Sequence, residues 1–130
     1  MSFANYLELE LLDHLFGKGS YTPPTIYVGL STADPGEDAA GLAEPSGNAY
    51  ARVTTAAADW DPAAAGVTDN ANAITFPTAT GSWGTVTHAC LFDAASAGNL
   101  LASGALAASK AIGSGDTPKF DAGDLDVSLD

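Results

Sequence analysis

The chain has 130 residues and sets sixteen Asp and Glu against four Lys and Arg, a formal net charge of −12. Lys18, Arg52, Lys110 and Lys119 are too few and too scattered to neutralise a run of phosphates, so direct nucleic-acid binding is not expected. One cysteine, Cys90, excludes an internal disulfide framework, and no apolar run approaches the roughly 18 residues of a membrane span.

The length suits one domain that buries its own core. Residues 1–16 carry Glu8, Glu10 and Asp13 where a secretory leader would have a basic start and an apolar run, so folding in a cytosol is expected.

The first predicted element is a helix over 1–17. Ser2 is placed to cap it, Phe3, Leu7, Leu11 and Leu15 recur every four residues, and Gly17 supplies a stop. The alternation Leu7-Glu8-Leu9-Glu10-Leu11 competes as a strand signal, but length and end signals favour the helix. A second apolar row, Leu9, Leu12 and Phe16, leaves Glu10, Asp13 and His14 on the wet face. A helix apolar over more than one stripe has two things to pack against. Phe3, Leu7, Leu9, Leu11, Leu12, Leu15 and Phe16 are therefore candidate subunit contacts, the alternative being a helix sunk deeper into its own core.

Beyond Gly17, short β-like runs alternate with turns. Thr25–Leu30 follows Pro23-Pro24, residues 33–48 form a long loop with two prolines and three glycines, and Tyr50–Thr55 is the next strand. A second loop runs through Trp60-Asp61-Pro62 and Asp69–Asn72. Ala73–Phe76, Thr85–Phe92 and Leu100–Leu106 follow, and residues 125–130 alternate strictly, putting Leu125, Val127 and Leu129 on one face. No crossover helices separate the strands. The pattern predicts a mainly β fold, an antiparallel β-sandwich or small β-barrel over 18–130 as a single domain, preceded by the helix.

Chemical motifs are sparse. Gly17-Lys18-Gly19-Ser20 lacks the spacing and the Ser or Thr of a phosphate loop, and no Gly-x-Ser-x-Gly elbow accompanies His14 or His88. Carboxylate pairs are too abundant in so acidic a chain to mark acid–base catalysis. Asp34, Glu37 and Asp38 in one loop, and Asp121, Asp124 and Asp126 in another, offer oxygens suited to calcium without matching a twelve-residue calcium loop. Cys90, flanked by apolar residues and no cation, reads as a buried thiol. No catalytic residue, cofactor or metal ligand is assigned. Trp60 and Trp83 are the candidate stacking surfaces for a sugar ring, although Gly81-Ser82-Trp83-Gly84 also suits a tight turn covered by an indole.

The segments SFANYLELELLDHLFG, YVGLSTADPGEDAAGLAEPSGNAYARV, AITFPTATGSWGTVTHACLFDAASAGNLLASGAL and GSGDTPKFDAGDLDVSLD resemble a family of small bacteriophage and prophage tail-fibre-like virion proteins. The most specific pieces are YVGLSTADP, EPSGNAYAR and FPTATGSWGTVTH. The resemblance implies a non-enzymatic virion subunit, made in the host cytoplasm and joined to other virion proteins, at the tail fibre or tail tip or as a capsid decoration. Identical subunits in a symmetric particle are expected to associate, and a trimer is the expectation. The alternative is a receptor-binding module whose loops recognise host carbohydrate. A glycan hydrolase ranks third.

Overall fold

The computed structural model describes residues 1–129. β1 (Ser2–Phe3) leads into α1 (Asn5–Leu15), followed by β2 (Tyr27–Ser31), β3 (Val53–Thr54), β4 (Val67–Thr68) and β5 (Ile74–Thr75). β6 (Gly84–Phe92) and β7 (Leu100–Ile112) are the long strands, and β8 (Lys119–Phe120) and β9 (Val127–Ser128) close the order. All pairings are antiparallel. The main sheet runs β1-β7-β6-β2-β3, and the ribbons β4-β9 and β5-β8 form a second layer. The sheet is open, so the fold is sandwich-like and the closed-barrel alternative falls away.

Strand alternation sorts the central sheet into two faces. Val28 and Leu30 of β2 meet Leu91 and Ala89 of β6, and this face packs with Ile74, Phe76, Trp83, Ile112, Leu125 and Val127 in the main core. On the other face Cys90, Phe92, Leu100 and Ala4 form a smaller cluster, roofed by Tyr27, Ala39 and Leu42. Because both faces are covered, β2 and the end of β6 read as near-continuous apolar runs without polar alternation.

The element boundaries shift for local reasons. β7 was expected to end at Leu106 but continues to Ile112, because the register slips between Val86, opposite Lys110, and His88, opposite Ala105. Such a bulge breaks the period-two pattern that marks a strand. The runs expected over Thr25–Leu30, Tyr50–Thr55, Ala73–Phe76 and Leu125 onward shorten to Tyr27–Ser31, Val53–Thr54, Ile74–Thr75 and Val127–Ser128, and Asp130 lies outside the described residues.

The helix start is corrected. Ser2 does not cap α1; it pairs with Ser103 in β1, Phe3 pairs with Ala102, and Ala4 occupies the cap position without a side-chain bond. Pairing against β7 and the Ala4 N–H to Leu101 O bond hold this segment extended until Asn5. The stop is as expected. Gly17 has φ +73°, its N–H reaches His14 O, and the Lys18 N–H donates to Asp13 O at 2.7 Å, the pattern of a Schellman turn.

Asn70 ties together the loops that join the two ribbons. Fully buried, it donates through Nδ2 to Asn72 O and Asp121 O and accepts the Leu125 N–H through Oδ1. Truncation would orphan three backbone groups. Asn70→Ala is expected to lower the unfolding free energy by about 2–3 kcal/mol, read as an earlier denaturation midpoint with an unchanged slope.

Candidate interaction surface

A densely hydrogen-bonded polar cluster is built by EPSGNAYAR. Arg52 forms a fork to Glu44, Nη2 to Oε1 at 2.6 Å and Nε to Oε2 at 2.9 Å, and its Nη1 donates to Ala94 O and Ala97 O. Its guanidinium carbon stands 3.5 Å above the centre of the Phe92 ring. Tyr50 Oη donates to Glu44 at 2.6 Å and accepts the Leu30 N–H at 3.0 Å. Side-chain exposures of 5% for Arg52 and 21% for Glu44 mark the pair as largely withdrawn from water. A Cβ on Gly29 would fall 2.7 Å from Phe92 and 3.0 Å from Tyr50 Oη, so only glycine leaves room for this cluster on the sheet.

FPTATGSWG docks on the same segment. Gly47, Asn48 and Ala49 all have positive φ, and the peptide they present is held from three sides. Trp83 Nε1 and the Thr80 N–H donate to Asn48 O, while Asn48 Nδ2 donates to Ser82 O. Trp83 is 4% exposed, its ring set edge-on to Tyr50 at 5.2 Å. That burial corrects the reading of Trp83 as an open stacking surface: its ring is core.

Several of the remaining chemical candidates hold structural hydrogen bonds or ion pairs. Asp34 and Asp38 accept the N–H groups of Gly36 and Ala40, and Asp124 accepts that of Asp121, which itself pairs with Lys119. Among the described residues no group of three His, Cys, Asp or Glu side chains converges as a metal site. His88 shares a face of β6 with Cys90, bonds Thr87 Oγ1 through Nδ1 at 2.8 Å, and lies 3.8 Å from Asp34. His14 is exposed and accepts the Tyr21 N–H. Cys90 is wholly buried, and burial, with Glu44 nearby, pushes its thiol up to about 12. Among the described residues no helix is long and apolar enough to cross a membrane.

What stays open is apolar. Leu7 is buried and Phe3 and Leu11 pack against the core, but Leu9, Leu12, Leu15 and Phe16 are 63, 53, 74 and 69% exposed. At about 100° per residue, Leu7, Leu11, Leu15, Leu12, Phe16 and Leu9 follow one another around α1 and its end, interrupted only by Asn5 and Glu8 near the start. Beside this ridge runs a furrow of about 410 Å³. Leu7 and Leu11 form one wall, Trp60 and Val67 another, and Leu91 and Leu101 the floor. Trp60 turns its N–H to Thr55 Oγ1 and lines this furrow, where a sugar would find few polar partners. Pro23-Pro24 and Val127 also border the furrow and were not foreseen as part of a surface; the proline pair was the available signal.

A larger cleft of about 890 Å³ lies between the far half of β7, β8 and the turn before β9. Lys110, Lys119, Asp116, Asp124 and Phe120 border it.

A family described as Gp80, podophage GP4 fiber I protein gp80, matches residues 2–128. No curated protein matches the chain.

Two outcomes test the buried chemistry. Arg52→Ala leaves Glu44 without its partner and is expected to cost roughly 3 kcal/mol in denaturant unfolding, with Arg52→Lys recovering part of it because one ammonium cannot reproduce the fork. Burial, then the Glu44 hydrogen bond, raises Tyr50 far above its ordinary value, and burial raises Cys90 from 9.0 to about 12. With folded values above unfolded ones, both groups stabilise fully below pH 9 and progressively less as alkali ionises the unfolded chain. Stability should therefore fall above pH 9, less steeply in Tyr50→Phe, and a thiol reagent should label Cys90 only as fast as the protein unfolds.

Proposed function

The chain belongs to the podophage GP4 fiber I protein family, and from that premise we propose that it is a non-enzymatic structural subunit of the virion, seated at a fibre attachment or tail tip. The single observation that supports this reading best is the contrast between its polar and apolar surfaces. Polar groups with the geometry of a site, Glu44, Tyr50 and Arg52, are consumed in holding loops, whereas the large unsatisfied surface is the apolar ridge and furrow of α1. An assembly protein needs the second and not the first.

The size fits the role. A compact chain of 130 residues has a radius of gyration near 14 Å, suited to an adaptor, collar or decoration piece more than to a long shaft. Self-association, with three copies the expected number, follows from repeated positions on a symmetric particle. Synthesis in the host cytoplasm and display on the particle go with it. A decoration site on the capsid is the same function at another address.

Recognition of host carbohydrate is the second reading, and the cleft supports it. Phe120 supplies a partly open aromatic ring, and Asp116, Asp124, Lys110 and Lys119 supply polar groups around it. That arrangement replaces Trp83, whose ring is covered.

Immunogold labelling of intact virions is expected to decorate tail or fibre structures; label absent from particles would remove the structural reading. On a glycan array the purified protein should bind nothing if it is purely structural, and saturable binding lost in Phe120→Ala would establish the second reading. Because copies of a chain at −12 repel one another, raising salt from about 0.05 to 0.5 M should promote self-association in light scattering.

A further inference from the structure

We propose that α1 is a helical ligand, docked along Leu9, Leu12 and Phe16 into an apolar groove on a different protein of the particle, a groove rimmed by Lys or Arg. This rests on the reading of the protein as a virion subunit and names the element that attaches it and the chemistry of the surface that receives it.

The helix has the pattern of such a ligand. Its inner side is spent on the core through Leu7 and Leu11. On the outer side Leu9, Leu12 and Phe16 stand three and four residues apart, the spacing by which a helix laid in a groove presents its anchors, and exposed Leu15 widens the row. The row is already held in place. The Ala4 N–H donates to Leu101 O and the Asn5 N–H to Glu37 O at the start of the helix, and the Lys18 N–H closes its end on Asp13 O. Little backbone remains to be ordered on docking, which keeps the entropic cost of the contact low.

Charge selects the partner. Around the helix axis Glu8 falls between Leu12 and Leu15, and Asp13 stands beside Leu9. Among the described residues Glu8, Glu10 and Asp13 have no ion pair and no side-chain hydrogen bond, whereas Asp34, Asp38, Asp59, Asp93, Asp116 and Asp124 each accept a backbone N–H. A groove that covers the leucines takes Glu8 out of water with them, and an unpaired buried carboxylate is costly, so the receiving surface must bring cations. A second copy is poorly furnished for that. Of its four cations Arg52 is held in the Glu44 fork, Lys119 lies 3.2 Å from Asp121 and Lys18 stands at the end of α1 itself, which leaves Lys110. An anionic lipid surface would repel the same carboxylates. The contact therefore weakens with salt, the opposite of contact between like-charged copies.

The test places a photo-activatable phenylalanine analogue at Leu12 of the full chain and irradiates purified particles. The adduct is expected on another virion protein, at an apolar surface bordered by Lys or Arg. An adduct on a second copy of this chain, or none above that given by the same analogue at exposed Ser109, overturns the proposal. A second measurement uses cells that make a tagged variant and the parent in equal amounts, so that particles form whatever the variant does. Leu12→Glu with Leu15→Glu, and separately Glu8→Lys with Asp13→Lys, should keep the thermal midpoint within a few degrees of the parent and be several-fold under-represented in particles. Depletion of the leucine variant alone overturns the basic rim. Equal incorporation of both overturns this surface and leaves the virion reading intact, whereas absence of the parent itself from particles overturns the virion reading. Co-sedimentation of the purified protein with phosphatidylcholine vesicles, lost in the leucine variant, would assign the ridge to lipid and overturn the proposal as well.

Discussion

The fork between Arg52 and Glu44 is the constraint on which the rest of the structure depends. Glu44 ends the loop over 33–43, Arg52 precedes β3, and the carbonyls of Ala94 and Ala97 belong to the turn between β6 and β7, so one guanidinium fixes three separate excursions of the chain. Each anchoring bond is charge-assisted, and the fork admits one orientation. Withdrawing both charges from water is costly, and an apolar replacement of the same shape could match the pair in stability. Its particular contribution is geometric. An apolar plug would fill the space over Phe92 without dictating where Ala94 and Ala97 place their carbonyls.

The loops held this way behave as built parts. The segment from Asp34 to Ala43 folds back on itself: Ser31 Oγ accepts the Ala43 N–H, Thr32 pairs with Ala43, and Gly41 donates to Pro35 O. Its underside covers Cys90 and Phe92. The three positive-φ residues Gly47, Asn48 and Ala49 would be a poor conformation in isolation, yet Trp83 and Thr80 both donate to the peptide they expose. Backbone strain of this kind persists where surrounding contacts over-determine it. The sequence pieces that carry the family resemblance, YVGLSTADP, EPSGNAYAR and FPTATGSWGTVTH, thus converge on one structural knot of packing and hydrogen bonds.

How far this was legible in the sequence depends on the range of the interaction. The helix, its Gly17 stop and the long strands rest on local periodicity and local end signals, and those were readable. The helix start was not, because Ser2 and Phe3 are recruited by β7, about a hundred residues away, and tertiary pairing overrides a capping preference. The β7 bulge and the short ribbons failed for the same reason, two-residue strands carrying no period. That Trp83 covers apolar surface in a glycine-bounded turn was readable locally, but its partners Tyr50 and Asn48 lie far back in the chain and could not be named from it; Phe76 is the near one. Of the candidate contacts, the row Leu9, Leu12 and Phe16 stood out from the sequence as surplus to one core, and the structure leaves those side chains in water. The furrow is assembled from six separate stretches of chain and has no sequence signature of its own.

Acidity and the apolar ridge answer each other. A small protein with open leucines and a phenylalanine on one helix would be expected to aggregate without direction, and sixteen carboxylates against four cations counter that by keeping copies apart at long range. Screened repulsion falls away within about 8–10 Å at cellular salt, so it opposes random encounters more than a contact already seated. Glu8, Glu10 and Asp13 stand on the same helix as the ridge, which places the repulsion where misdirected approach is most harmful. An approach that leaves the ridge in water gains no apolar contact to set against it. Charge and hydrophobicity therefore lie side by side on α1, acidic side chains that repel other copies at long range flanking leucines and a phenylalanine that the chain's own core leaves open.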